Sequence, residues 1–157
     1  MTEPTSTPRR PLVIGYGNSL RRDDGVGWHV AQALAVDPRA ADLEVLAAHQ
    51  LTPELAEDLH RATVAVLVDA TPDAPPGSWQ VLRLSPAAQS PGGASSHACT
   101  PQTLIALARQ LYGGAPPVAL VAVGTACFDD GDTLTPAVAA AVGPIVDHVL
   151  ELAAEGW

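Results

Sequence analysis

Apolar and polar residues alternate along the chain in blocks that predict strands and helices in turn. The clearest strand pattern is the run Thr-Val-Ala-Val-Leu-Val at residues 63–68, and Glu44 indicates that the weaker run around it lies at a sheet edge. The predicted strands are residues 12–16, 43–46, 63–68, 79–84 and 118–123. Segments with helical spacing of apolar residues lie between them. This alternation predicts an α/β fold, a three-layer α/β/α sandwich with a mostly parallel central sheet.

Three Thr-Pro pairs mark predicted helix starts, because threonine is a good N-cap and proline is tolerated in the first turn. They stand at Thr52, Thr100 and Thr135, and an earlier helix is predicted over residues 25–36. Residues 1–10 are polar and rich in Pro and Thr, so we expect a disordered N-terminal tail there, followed by a single domain over residues 11–157. The Ser/Pro/Gly-rich residues 85–99 predict a long loop.

The charge balance excludes several classes of function. The chain has 8 basic residues, all of them arginine, against 17 acidic ones, which gives a net charge of −9. Without lysine it cannot form a Schiff base or build a phosphate-binding P-loop, and its acidity argues against nucleic-acid or anionic-membrane partners. Two cysteines are too few for a disulfide scaffold. No signal-peptide pattern and no apolar run of membrane-spanning length stands out, so the sequence predicts a cytoplasmic protein.

The segment after the first strand is rich in glycine and leads into the first helix. It does not fit a dinucleotide-binding loop, because Leu20 stands where the third glycine is required. The second strand is followed by Ala48-His49-Gln50 and not by the acid that such a site needs. The adjacent acids Asp23 and Asp24 would also repel a phosphate.

Polar side chains with metal-binding capacity are predicted at one edge of the sheet. Asp24 (or its neighbour Asp23) follows the first strand, Asp69 ends the third, and His97 lies in the long loop. Two carboxylates and an imidazole can bind a first-row divalent metal ion. A turn-capping role for Asp69 and a solvated His97 are the alternatives.

The glycine-rich segment also resembles a family signature. It is similar to the G-N-x-L-x-x-D-[DE]-G-x-G motif of the [NiFe]-hydrogenase maturation endopeptidases, and it reads Gly17-Asn18-Ser19-Leu20-Arg21-Arg22-Asp23-Asp24-Gly25-Val26-Gly27. The likeness covers the chain from about Leu12 to its end, with further matches in the family's order at Val68-Asp69-Ala70, Ser95-Ser96-His97 and Leu134-Thr135-Pro136. It departs after the second strand, where many members have Asp-Gly-Gly-Thr. That departure indicates a subgroup serving a different class of hydrogenase.

The resemblance implies an activity and a partner. The protein would be an endopeptidase that removes a C-terminal peptide from the precursor of a hydrogenase large subunit after nickel insertion. Asp24, Asp69 and His97 would contact that nickel, which belongs to the substrate, and would carry catalysis. The metal would act as a Lewis acid, activate a water, or only orient the precursor while a carboxylate serves as general base.

Several alternatives stay open from the sequence alone. A non-catalytic nickel-binding chaperone for the precursor would use the same three ligands, although the chain lacks a His-rich or Cys-rich tract. Cys99 is a weaker candidate nucleophile. Asp23 is expected either to cap the first helix or to take part in catalysis, and His49 is expected to be a loop residue at the substrate edge. The other three helical histidines are predicted to be surface residues: His29, His60 and His148.

Overall fold

Five strands form one mixed sheet in the order β2-β1-β3-β5-β4. The structure is a computed structural model that describes residues 9–84 and 99–155. Strands β1, β2, β3 and β5 are parallel, and β4 pairs antiparallel with β5 at one edge. The strands are β1 (Leu12–Tyr16), β2 (Glu44–Ala48), β3 (Ala65–Thr71), β4 (Trp79–Leu84) and β5 (Val118–Gly124), and the α-helices are α1 (Val26–Ala35), α2 (Leu55–Arg61), α3 (Pro101–Tyr112) and α4 (Pro136–Glu155).

Helices cover both faces of the sheet, as predicted for a three-layer α/β/α sandwich. On one face α1 and α4 bury Val30 and Ile145 against sheet valines such as Val66. On the other face α2 and α3 bury Leu59 and Leu104 against the alternate residues of the same strands. Both faces of β1, β3 and β5 are therefore largely buried, which accounts for their continuous apolar runs.

The predicted strands are confirmed, with one difference that concerns the candidate site. β3 continues three residues beyond the apolar run, because Asp69, Ala70 and Thr71 stay in register with β5. Asp69 therefore lies within a paired strand and not in a turn after it. Pairing with Ala122 of β5 holds its backbone in place, which disfavours the turn-capping alternative.

The Thr-Pro helix starts have mixed outcomes. Thr100 caps α3 by accepting a hydrogen bond from the Thr103 N–H (3.1 Å), and α4 begins directly after Thr135. The prediction for Thr52 is wrong, since α2 begins only at Leu55 and has no side-chain cap. The Thr52 hydroxyl instead donates to the Glu54 carboxylate (3.0 Å) within the preceding turn.

α4 is long and apolar enough to cross a membrane by length and composition alone. Its apolar stripe is nevertheless buried against α1 and the sheet, as in the core helix of a globular domain. The predicted disordered tail over residues 1–10 lies outside the described residues except for Arg9 and Arg10, and most of the predicted loop over residues 85–99 lies outside them as well.

Candidate active site

The glycine-rich motif forms a tight turn that brings Asp24 back against the end of β1. Gly17 has φ +146°, and a Cβ there would collide with the Asp24 carbonyl oxygen, so only glycine allows this approach. The Asn18 N–H donates to the Asp24 carboxylate (3.0 Å). The Asn18 side chain accepts from the Leu20 N–H two residues on (2.9 Å), as expected for an asparagine at a tight turn.

Asp69 lies on the neighbouring strand and faces the same end of the sheet. β1 and β3 are in register at Gly15 and Val68, so Tyr16 and Asp69 are the next residues along. The Asp69 carboxylate accepts hydrogen bonds from the Ala70 N–H (2.7 Å) and from the Tyr16 hydroxyl. These two bonds fix the carboxylate at the carboxyl end of the parallel strands.

Burial sets the electrostatics of this pair. It raises the pKa of Asp69 to about 6, against the opposing hydrogen bonds from Ala70 and Tyr16, and the charge of Asp24 adds to the increase. Burial, followed by the charge of Asp69, also raises the pKa of Tyr16 above its ordinary value. Tyr16 therefore stays a neutral donor, and Asp69 changes protonation state close to neutral pH.

The structure brings Asp24 and Asp69 close enough for their charges to interact, as the sequence predicts. His97, the third predicted ligand, lies outside the described residues. Within residues 9–84 and 99–155, no three His, Cys, Asp or Glu side chains converge to hold a metal ion.

Asp23 turns away from Asp24 and makes a different set of contacts. Its side chain is fully buried and does not cap the 3-10 turn or α1. One oxygen accepts from the backbone N–H of Ala126 (2.9 Å) and Cys127 (3.2 Å) and from the Thr135 hydroxyl (2.7 Å), and the other accepts from the Thr135 N–H (2.8 Å). Both earlier interpretations of Asp23, a helix cap and a catalytic acid, lack support in these contacts.

Burial alone would raise the pKa of Asp23. The hydrogen bonds from Thr135, Ala126 and Cys127 outweigh burial and hold that pKa below its ordinary value. Asp23 is therefore a charged acceptor in the interior at neutral pH.

Cys99 lies near Tyr16 and packs among apolar side chains of the α2/α3 face. Burial raises the pKa of the Cys99 thiol, which keeps it protonated and poorly nucleophilic at neutral pH. This environment favours a structural Cys99. His49 is exposed just after β2, as expected.

The prediction that the helical histidines are simple surface residues is wrong for all three. His148 accepts a hydrogen bond from the Trp79 indole (3.0 Å), which ties β4 to α4. His60 contacts the Gly114 carbonyl (2.8 Å) and stacks on Tyr112. His29 has its Nε2 buried, and burial lowers its pKa. Each of these helix faces turns toward a neighbouring element, which periodicity in one helix does not reveal.

Sequence reasoning missed Tyr16, whose hydroxyl touches Asp69. A signal was present, because Tyr16 is the polar-tipped last residue of a buried strand that directly precedes the motif. Its partner depends on the register of β1 against β3.

Comparison with solved structures places this site in a known fold. The hydrogenase maturating endopeptidase HybD from E. coli is 27% identical, the match covers 93% of both chains, and the TM-score is 0.76. An endopeptidase from Escherichia coli solved in solution is 25% identical over 90% of both chains, with a TM-score of 0.68. The [NiFe] hydrogenase maturation protease HycI from Thermococcus kodakarensis is 16% identical over 90% of both chains, with a TM-score of 0.72. The chain has the fold of the [NiFe]-hydrogenase maturation proteases.

The resemblance inferred from the sequence motif is thus confirmed by structure over nine-tenths of the chain. No protein-family model matches the sequence, and no curated protein matches it.

Proposed function

We propose that this protein is an endopeptidase that removes the C-terminal extension of a nickel-loaded [NiFe]-hydrogenase large-subunit precursor, in the cytoplasm. One observation carries the proposal: in a chain with the fold of HybD, Asp24 in the turn after β1 and Asp69 on β3 lie close enough for their charges to interact at the carboxyl edge of the sheet. That edge is where open α/β sheets bind their ligands.

In this proposal nickel is part of the substrate. Asp24, Asp69 and His97 bind it as outer ligands once the precursor has acquired it, and so bring the scissile peptide to the site. Carboxylate oxygen and imidazole nitrogen suit a borderline divalent ion. A precursor without nickel lacks the group that these residues recognise, so it is not cleaved.

Asp69 also has properties that suit proton transfer. A pKa of about 6 lies nearer neutral pH than that of an ordinary aspartate, which favours a general base that accepts a proton from an attacking water. The Tyr16 hydroxyl orients the carboxylate for this role. Bound nickel would polarise the peptide carbonyl or the water.

The test is to incubate the protein with nickel-loaded and nickel-free precursor and follow the precursor mass. We expect a C-terminal peptide to be released only from the nickel-loaded form. Asp24→Asn and Asp69→Asn should each reduce the rate at least about 100-fold, as for loss of a group that acts in the transition state. Asp42→Asn is the matched control, because Asp42 is exposed and precedes β2 at the opposite end of the sheet.

The same experiment separates the protease from a chaperone. Stoichiometric binding of the nickel-loaded precursor without a change in its mass would contradict the protease and favour the non-catalytic accessory protein. Equal cleavage of both precursor forms would contradict nickel recognition.

A further inference from the structure

Three consecutive side chains join the motif turn to a second loop, residues 125–135, which connects β5 to α4. The Arg21 Nε donates to the Phe128 carbonyl (3.3 Å) and the Arg22 Nε donates to the Thr133 carbonyl (3.2 Å). Asp23 follows with its buried bonds to the two ends of that loop. The two loops, more than 100 residues apart in sequence, are thereby fixed to each other.

Backbone bonds continue the same junction. The Arg22 N–H donates to the Gly131 carbonyl (2.9 Å), and the Gly131 N–H donates to the Leu20 carbonyl (2.9 Å). Arg22 has φ +44°, the only described residue other than glycine with a positive φ. Such a conformation costs about 1 kcal/mol or more and persists where its surroundings fix it.

We propose that Asp23 is a positioning residue: its buried carboxylate binds the 125–135 loop and so holds the turn that carries Asp24. The inference rests on the proposed function, in which Asp24 contacts the substrate nickel. Asp23 itself touches no reacting atom.

The coupling between the two acids is direct. Both lie in the single 3-10 turn Arg22–Gly25, and their carboxylates bond to different segments of the chain. Asp23 is bonded to Ala126, Cys127 and Thr135, whereas Asp24 accepts from the Asn18 N–H. A rotation of this turn that frees Asp23 would shift Asp24 away from Asp69.

An amide cannot replace the Asp23 carboxylate in these contacts. Each carboxylate oxygen faces at least one N–H donor, from Ala126 and Cys127 on one side and Thr135 on the other. In either orientation of an asparagine, its NH₂ group would therefore oppose a buried backbone donor. The loop or the turn must move to relieve that contact.

The experiment compares Asp23→Asn with Leu59→Ala on the full chain, at a temperature where both are folded. Leu59 is fully buried on the α2/α3 face, so its truncation lowers stability without touching the site. We expect Asp23→Asn to lose about 100-fold in kcat/KM, the cost of a misplaced group. It should also lose the preference for nickel-loaded over nickel-free precursor in a binding assay. Leu59→Ala should keep both.

Thr135→Val provides a milder variant in case Asp23→Asn fails to fold. It removes the hydroxyl that donates to Asp23 (2.7 Å) and leaves the Thr135 N–H in place. We expect a smaller loss of kcat/KM in the same direction. Wild-type rates and nickel preference in both folded variants would overturn the inference, as would equal losses in Asp23→Asn and Leu59→Ala.

Hydrogen exchange separates this inference from the proposed function. In Asp23→Asn we expect faster exchange at the amides of Asn18 and Asp24, which bond within the motif turn, and unchanged exchange there in Leu59→Ala. If the wild type does not cleave the precursor but this pattern appears, the function fails and the positioning role stands. Unchanged exchange at both amides would overturn the positioning role whatever the activity.

Discussion

Asp69 carries a charge that its surroundings make costly. The side chain is mostly buried, it has the Asp24 charge nearby, and two hydrogen bonds only partly compensate. Its folded pKa of about 6 lies above the ordinary value of 3.8. A charged group that lowers stability at neutral pH is typical of a functional site that uses the charge, and catalytic carboxylates are a common example.

We therefore expect Asp69→Asn to raise the free energy of unfolding at pH 7.5 by about 3 kcal/mol, since the pKa rises from 3.8 to about 6 and each pKa unit corresponds to about 1.4 kcal/mol. The folded chain binds the Asp69 proton more tightly than the unfolded chain. The penalty for the charge is thus complete above about pH 6 and disappears as the pH falls to about 4.

Urea unfolding of wild type and variant at both pH values measures this difference. Asp42→Asn should change the free energy of unfolding by less than about 0.5 kcal/mol at either pH, as for an exposed substitution. A stabilisation by Asp69→Asn that is equally large at pH 4 would show that desolvation of the charge is not its cause.

At the level of elements, α1 packs unusually close to the strands that carry the site. A Cβ on Gly27 would collide with the Val68 carbonyl oxygen of β3 and would lie 2.6 Å from that of Tyr16 on β1. The glycine thus lets the helix rest directly on the strand ends that present Tyr16 and Asp69. The position of Gly27 in the motif is therefore set by this packing, whereas the position of the acids is set by their chemistry.

Gly27→Ala should consequently lower the free energy of unfolding by about 3 kcal/mol, because backbone atoms of two strands must move. We expect precursor cleavage to fall in the folded fraction as well, since the displaced strands carry Asp69. Gly114→Ala is the control, with open space around the added methyl group and an expected change below about 0.5 kcal/mol. Equal effects in the two variants, measured by thermal or urea unfolding, would contradict the packing argument.

The helix starts give a second comparison between elements of the same sequence pattern. Thr100 accepts a capping bond from the Thr103 N–H, whereas the Thr52 hydroxyl bonds to Glu54 and α2 begins later. We expect Thr100→Ala to lower the free energy of unfolding by about 1 kcal/mol and Thr52→Ala by less than half of that. A larger loss in Thr52→Ala would mean that the Thr52 turn, and not the α3 cap, stabilises the chain.

Across the whole molecule, local sequence patterns predict the order of the strands and helices, but they do not predict contacts between segments that are distant in sequence. The apolar runs predict all five strands, most clearly β1, β3 and β5, which are largely buried. The position of Asp24 and Asp69 at the same edge of the sheet follows from the rule that parallel strands end at one edge. The Tyr16 contact needs the register of β1 against β3, and the partners of Asp23 lie 103 and 112 residues away, so neither has a local signature.

The net charge also affects the stability of the whole molecule. The sequence has 17 acids against 8 arginines, and the ion pairs at the surface of the described part of the chain include Arg39–Asp37, Arg39–Asp147 and Arg61–Asp58. Exposed pairs of this kind each contribute about 0–1 kcal/mol, and salt weakens them. Repulsion among the excess acids also weakens with salt, and it opposes folding.

The excess of acids over arginines decides which of these two effects dominates. We expect the thermal midpoint to rise by about 2–4 °C between roughly 10 mM and 150 mM NaCl, which corresponds to about 1 kcal/mol for a domain of this size. Arg39→Gln removes the ion pairs with Asp37 and Asp147 and raises the net negative charge, so the rise should be larger in that variant. A midpoint that falls with salt would mean that the ion pairs outweigh the repulsion, and that acidity does not limit the stability of this fold.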